Sequence, residues 1–299
     1  MAKDWLHYTD GSTAISGLAI PGTHDTASWT HDDDLNLPPF TWAQRLNLRE
    51  QLDIGIRVMD LRVGWANAVA RHLWMFHGPV PVNDQSLDVA LADIRAWLDE
   101  NPREFVVLMF QQQGYPLVKS DCAAEVRNSV NRAFGGRGDR FFHFAADRNS
   151  WPTVDDLRGR VMVMERLESR VDGFCNVRAW PDNPTGITLD INTWLQIHLQ
   201  DMYSSVSGGW FSYESKEVDN LKKLATVEAA ARQLPNNYSR TLLKINHLSY
   251  SNKRYQPWKL GVGVNTLLRQ STFPLLGFIM IDDADPSTVD FILGGNSAV

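Results

Sequence analysis

Short, continuous apolar runs recur along the chain, each closed by a polar residue capable of chemistry. They lie at 17–20, 56–62, 73–77, 105–110, 161–165, 186–192, 241–246 and 277–282. Runs of four to six Val, Ile, Leu, Met and Phe without polar alternation suit parallel strands covered on both faces. Helical periodicity lies between several of them. The clearest is 87–101, with Leu87, Leu91, Ile94, Trp97 and Leu98 on one face and Pro102 as the stop; 121–134 and 217–234 read alike. Strand–helix alternation over 299 residues predicts an α/β protein, a single irregular (β/α)8 barrel of the TIM type, with residues 1–299 as one catalytic domain. In such barrels the active site forms at the C-terminal ends of the strands. The residues closing these runs are expected to converge there: His24, Asp60 with Arg62, His77, Gln111, Arg166, Asp201, Asn246 and Asp282.

The first of them stands in Leu18-Ala19-Ile20-Pro21-Gly22-Thr23-His24-Asp25. Pro21 and Gly22 are expected to break the strand and present His24 beside Asp25 at its end. His77 ends the similar run Leu73-Trp74-Met75-Phe76-His77-Gly78-Pro79, and Asp60 and Arg62 stand two apart, on one face of a strand. Two tunable imidazoles, carboxylates and a guanidinium form the set that general acid–base cleavage of a phosphodiester needs. One group takes a proton, one gives a proton, and fixed positive charge stabilises a phosphorane-like transition state.

Composition removes several partners. Hydrophobic content of 43% and charged content of 21% are those of a folded chain. A net charge of −6 without a basic tract argues against nucleic acid and against electrostatic adhesion to anionic membranes, which leaves apolar contact. No run reaches transmembrane length. Met1-Ala2-Lys3-Asp4-Trp5 lacks the apolar segment of a signal peptide, which leaves an internal protein or a mature secreted form. Cys122 and Cys175 fit one disulfide or two buried thiols, and do not suit a zinc site. Most of the eleven Trp should pack in the interior. Two segments, 35–42 and 250–260, read as loops near the rim, so Trp42 and Trp258 are candidates for interfacial membrane contact.

The runs Ile20-Pro21-Gly22-Thr23-His24-Asp25, Asp60-Leu61-Arg62 and His77-Gly78-Pro79 resemble the X region of bacterial phosphatidylinositol-specific phospholipase C. The similarity continues through Leu98-Asp99-Glu100-Asn101-Pro102-Arg103-Glu104, Arg158-Gly159-Arg160, Trp180-Pro181-Asp182-Asn183 and Gln200-Asp201-Met202-Tyr203. It ends near Gly277-Phe278-Ile279-Met280-Ile281-Asp282, so it spans almost the whole chain in order. The resemblance implies cleavage of phosphatidylinositol in membranes to diacylglycerol and a cyclic inositol phosphate, with GPI anchors as a second substrate. It implies a secreted, monomeric enzyme in peripheral membrane contact and without a cofactor. His24 would be the base toward the inositol 2-hydroxyl, oriented by Asp282. His77 would be the acid toward the diacylglycerol oxygen, with Asp25 beside it. Arg62 would hold the phosphate with Asp60 in support, while Arg166 and Asp201 would contact inositol and Tyr203 would stack on it. Bacterial relatives carry Lys near the place of Gln111, so a neutral amide stands here for a cation. In metal-dependent relatives the strand of Asp60 and Arg62 supplies carboxylates to calcium. Arg62 at the second of those places implies no metal, with Asp25 and Asp60 as the ligands should Ca2+ bind. Two alternatives stay open: a metal-dependent phosphodiesterase of glycerophosphodiesters or sphingolipids, and an inactive X-like domain that binds lipid headgroups.

Overall fold

The computed structural model describes residues 2–31, 41–66, 72–114, 121–135, 139–204, 215–233, 239–251 and 255–298. The strands are β1 (Ala19–Thr23), β2 (Val58–Trp65), β3 (Leu73–His77), β4 (Val80–Ser86), β5 (Val106–Gln112), β6 (Phe141–Phe142), β7 (Val161–Arg166), β8 (Cys175–Asn176), β9 (Thr185–Asp190), β10 (Gln196–Gln200), β11 (Leu242–His247) and β12 (Gly277–Ile281). The helices are α1 (Leu48–Asp53), α2 (Leu87–Glu100), α3 (Ala123–Phe134), α4 (Val154–Leu157), α5 (Lys216–Gln233), α6 (Pro257–Arg269) and α7 (Pro286–Gly294). The sheet runs β7-β5-β2-β1-β12-β11-β10 with every neighbour parallel. The short β6 and β8 extend it beside β7, and β9 lies antiparallel on β10. The first strand pairs with the last, and the sheet forms an irregular (β/α) barrel with no pairing between β8 and β9 among the described strands.

Side-chain parity organises the barrel. Ile20, Val58, Val107, Met109, Met162, Met164, Ile197, Leu199, Leu243, Ile245, Phe278 and Met280 form the interior cluster. Their sequence neighbours, such as Met59, Leu61, Leu108, Val163, Ile279 and Ile281, face the helices in a separate cluster. Because side chains alternate along a strand, the next inward positions are His24, Asp60, Arg62, Gln111, Arg166, Asp201, His247 and Asp282. The interior is thus apolar below and turns polar only at the C-terminal rim. Trp5, Leu6, Ile15 and Trp151 join the interior cluster from the segments outside the strands.

Several expectations are corrected by this topology. Pro21 and Gly22 do not end the first strand; both lie inside β1. The Pro21 carbonyl accepts the Arg57 N–H at the foot of β2, where no donor from Pro21 is called for. A Cβ on Gly22 would lie 2.5 Å from Met280 Sδ and 2.8 Å from Val58 Cβ, so only glycine passes this interior layer. The run ending in His77 is no barrel strand. It is β3, antiparallel to the far end of β2 and to β4. The run 186–192 is largely β9, antiparallel rather than parallel, and the parallel strand before Asp201 is β10. Asn246 has the outward parity, and His247 rather than Asn246 faces the site. In the 250–260 segment, residues from Pro257 onward are helical, with Pro at the first turn where its missing N–H costs nothing. Of the 35–42 segment, residues 35–40 lie outside the described residues. Cys122 and Cys175 are both free and buried.

Below the site Arg57 and Glu104 form an ion pair at 2.8 Å that is almost wholly inaccessible. Arg57 also donates to the carbonyls of Leu52 and Ile56. Removing one partner of such a pair strands the other charge without water. Glu104→Ala should therefore lower the unfolding free energy by about 3–5 kcal/mol in denaturant titration, and a loss under about 1 kcal/mol would contradict this account.

Candidate active site

The barrel mouth holds a cavity of about 820 Å³ lined by His24, Arg62, His77, Arg166, Asp201 and Tyr203, among others. Arg62 is its centre. Its Nε donates to Asp60 Oδ2 at 3.2 Å, its Nη1 lies 3.5 Å from Asp25 Oδ2, and its Nη2 lies 2.5 Å from His24 Nε2. A guanidinium can only donate, so His24 Nε2 is the acceptor and Nδ1 carries the ring proton. That proton goes to Asp282 Oδ1 at 2.8 Å. Burial disfavours a charged His24, but Asp282 outweighs it, and the pKa is raised above the ordinary value. The neighbouring Asp283 does not compete, because Arg45 holds it from outside. Asn265 fixes the Asp282 backbone by donating to the carbonyls of Asp282 and Asp283.

His77 faces His24 with ring centroids 6.2 Å apart and planes nearly perpendicular. Its Nδ1–H donates to the Thr41 carbonyl at 2.7 Å, and Asp25 Oδ2 lies 3.2 Å from the same nitrogen. Burial, then the charges of Arg62 and His24, press its pKa down to about 3. Asp25 is displaced the other way. Burial lifts it to about 7 against the pull of Arg62 and His24, and neither carboxylate oxygen has a hydrogen bond. Asp60, equally buried, is instead held far below the carboxylate range by Arg62 and His24. It also accepts the Asp25 backbone N–H. Two carboxylates and two imidazoles around one cation are thus driven in opposite directions.

A second cluster lines the other side. Arg166 donates to Gln111 Oε1, its guanidinium lies 4.4 Å over the Trp180 ring, and Trp180 Nε1 donates to Asp201 Oδ2 at 2.9 Å. Tyr203 is partly exposed, its hydroxyl donates to Asp182, and its N–H goes to Asn183. Lys223 of α5 is buried beneath this wall and donates to the Met202 carbonyl at 2.6 Å. Burial pushes its amine down to about 7 against the attraction of Asp201 and Asp282.

The candidates named from sequence at His24, Asp25, Asp60, Arg62, His77, Gln111, Arg166, Asp201, Tyr203 and Asp282 gather at this one mouth. Trp42 and Trp258 do not line the cavity. They join each other beside it, with Trp258 N–H on the Trp42 carbonyl and Trp42 N–H on Gln256. Arg45 and Lys259 flank the Trp258 ring at 5.1 and 5.0 Å. Sequence reasoning missed Thr41, Gln113, Trp180 and Lys223 and gave His247 no role. Parity along β11 is the signal that finds His247. It lies 6.1 Å ring-to-ring from His24, with Nδ1 3.6 Å from Asp201, and burial presses its pKa down to about 4.

Comparison with known proteins follows the same line. The model of the phosphatidylinositol-specific phospholipase C X domain matches residues 18–167. A 1-phosphatidylinositol phosphodiesterase of Listeria monocytogenes is 23% identical over 98% of this chain and 85% of its own length. Its namesake in Staphylococcus aureus strain Newman is 24% identical over 74% of this chain and 69% of its own length. Among solved structures, the phosphatidylinositol-specific phospholipase C of L. monocytogenes superposes with a TM-score of 0.67 at 22% identity, covering 99% of this chain and 98% of that one. An S. aureus phosphatidylinositol-specific phospholipase C variant gives 0.74 at 18% identity, covering 98% and 96%.

Asp282 raises the basicity of His24, so the acidic limb of a pH–rate profile governed by this imidazole lies at higher pH with Asp282 than without it. Asp282→Asn should move that limb of kcat/KM to lower pH and reduce turnover by about 10²-fold or more. An unmoved limb would contradict the coupling.

Proposed function

The chain belongs to the phosphatidylinositol-specific phospholipase C X-domain family, and on that premise we propose that it cleaves phosphatidylinositol by intramolecular transfer at phosphorus. The observation that carries the reading is the pair of histidines facing each other with ring centroids 6.2 Å apart, His24 Nε2 accepting from the Arg62 guanidinium. A substrate phosphate draws the Arg62 guanidinium onto its oxygens and releases His24 Nε2. His24 then takes the proton of the inositol 2-hydroxyl, whose oxygen attacks phosphorus. The bond from phosphorus to the diacylglycerol oxygen breaks, and His77 as imidazolium gives that oxygen its proton. Binding of the anion supports this protonation, since it offsets the Arg62 charge that holds His77 neutral, and Asp25 beside Nδ1 stabilises the imidazolium. Arg166, Asp201 and Tyr203 form the wall for inositol, with Gln111 as a neutral contact. GPI anchors, which contain the same headgroup ester, are a second substrate.

Calcium does not fit this mouth. Asp25 and Asp60 are the hard ligands it would use, and both already lie against the Arg62 guanidinium at 3.5 and 3.2 Å. A divalent ion there would meet a permanent like charge, so the reaction is assigned to Arg62 without a metal. The enzyme is read as a secreted monomer that touches the bilayer through the Trp42 and Trp258 edge of the mouth. No described helix is long and apolar enough to cross a membrane.

Phosphorus NMR of the products, recorded with exhaustively chelated protein and phosphatidylinositol, tests both parts. A cyclic inositol phosphate should appear at the same rate with and without chelator. An open phosphate as first product would overturn the transfer reaction, and activity that returns only with calcium would overturn the role of Arg62.

A further inference from the structure

His77 stands on a hairpin outside the parallel barrel, so the ladders that fix His24, Arg62 and Asp282 do not fix it. Something else must hold the turn that follows it. The residue after His77 is Gly78, with φ +59, and its backbone is gripped on both sides by the continuation of β5. The Gly78 N–H donates to Gln113 Oε1 at 2.6 Å, and the Gly114 N–H donates to the Gly78 carbonyl at 3.2 Å. Gln113 is itself anchored, since its N–H goes to the Val63 carbonyl at 2.8 Å. Its carbonyl passes where a Cβ on Gly64 of β2 would lie, 2.0 Å away, so glycine there lets β5 reach the hairpin. Gln113 also lines the cavity beside His77 and Gly78.

We propose that Gln113 is the positioning residue of the acid: its side-chain oxygen clamps the His77–Gly78 turn and so aims His77 at the leaving oxygen. The inference rests on the assignment of His77 as acid in the transfer reaction. It makes a specific chemical demand. A diacylglycerol alkoxide leaves only with a proton, whereas a p-nitrophenolate leaves without one, so loosening the acid must harm the first ester and spare the second. A lost substrate contact, or a general loss of structure, would harm both.

The experiment compares a soluble short-chain phosphatidylinositol with the p-nitrophenyl ester of myo-inositol 1-phosphate. Gln113→Met keeps the length and loses the acceptor; Gln113→Ala is the second variant should the first fail to fold. Each should lower kcat on the lipid about tenfold or more and change kcat on the nitrophenyl ester by less than about twofold, with KM retained. Gln113→Glu, which keeps an acceptor oxygen at the same reach, should recover most of the lipid activity. Equal losses on the two esters, or no loss on the lipid, would overturn the proposal. A wild-type protein that makes no cyclic product from either ester would instead remove the transfer reading beneath it.

Discussion

Arg62 carries a charge that no proton transfer can remove, and its side chain is mostly buried in the wall of the cavity. Each group near it is conditioned by that charge. Asp60 is held ionised, His77, already disfavoured as a cation by burial, is pressed further toward neutral, and the lone pair of His24 accepts from the guanidinium. Asp25 is the group left over. It is buried with no hydrogen bond, so its negative charge is poorly supported until an imidazolium forms beside it. The cation presses down the basicity of both imidazoles, and the Asp282 carboxylate lifts His24 back above its ordinary value. The difference comes from what each Nδ1 faces, a carboxylate for His24 and a backbone carbonyl for His77.

The barrel explains why these groups meet. Parallel strands place their last inward side chains around one ring, and the apolar layers of Met, Val, Ile and Phe below leave no exit for charge except the mouth. The polar ring is stabilised from outside as well. Asn265 of α6 fixes the backbone of Asp282, and Lys223 of α5 ties down the segment bearing Asp201 and Tyr203. Helices that cover the barrel thus also tune its site.

Much of this was legible in the residues. Period and parity bring out β2, β5, β7, β11 and β12, and two-residue spacing puts Asp60 and Arg62 on one face. What local pattern does not carry is strand direction. The apolar run before His77 reads like any barrel strand, and its antiparallel pairing uses the edge that β2 leaves free beyond β1. The same limit applies to β9. Pro21 and Gly22 looked like a strand end because their backbone chemistry usually means one. Here a close interior contact demands the glycine, and the proline falls where no donor is needed. Asn246 and His247 close their run together, and only counting inward positions along β11 separates the two.

One environment drives two imidazoles apart in basicity, and nitrogen-15 NMR of labelled histidines across a pH titration reads this directly. In the free protein His24 should titrate above the ordinary imidazole pKa with its neutral form protonated on Nδ1, and His77 should remain neutral far into the acid range. Two histidines that titrate together, or in the reverse order, would contradict the account.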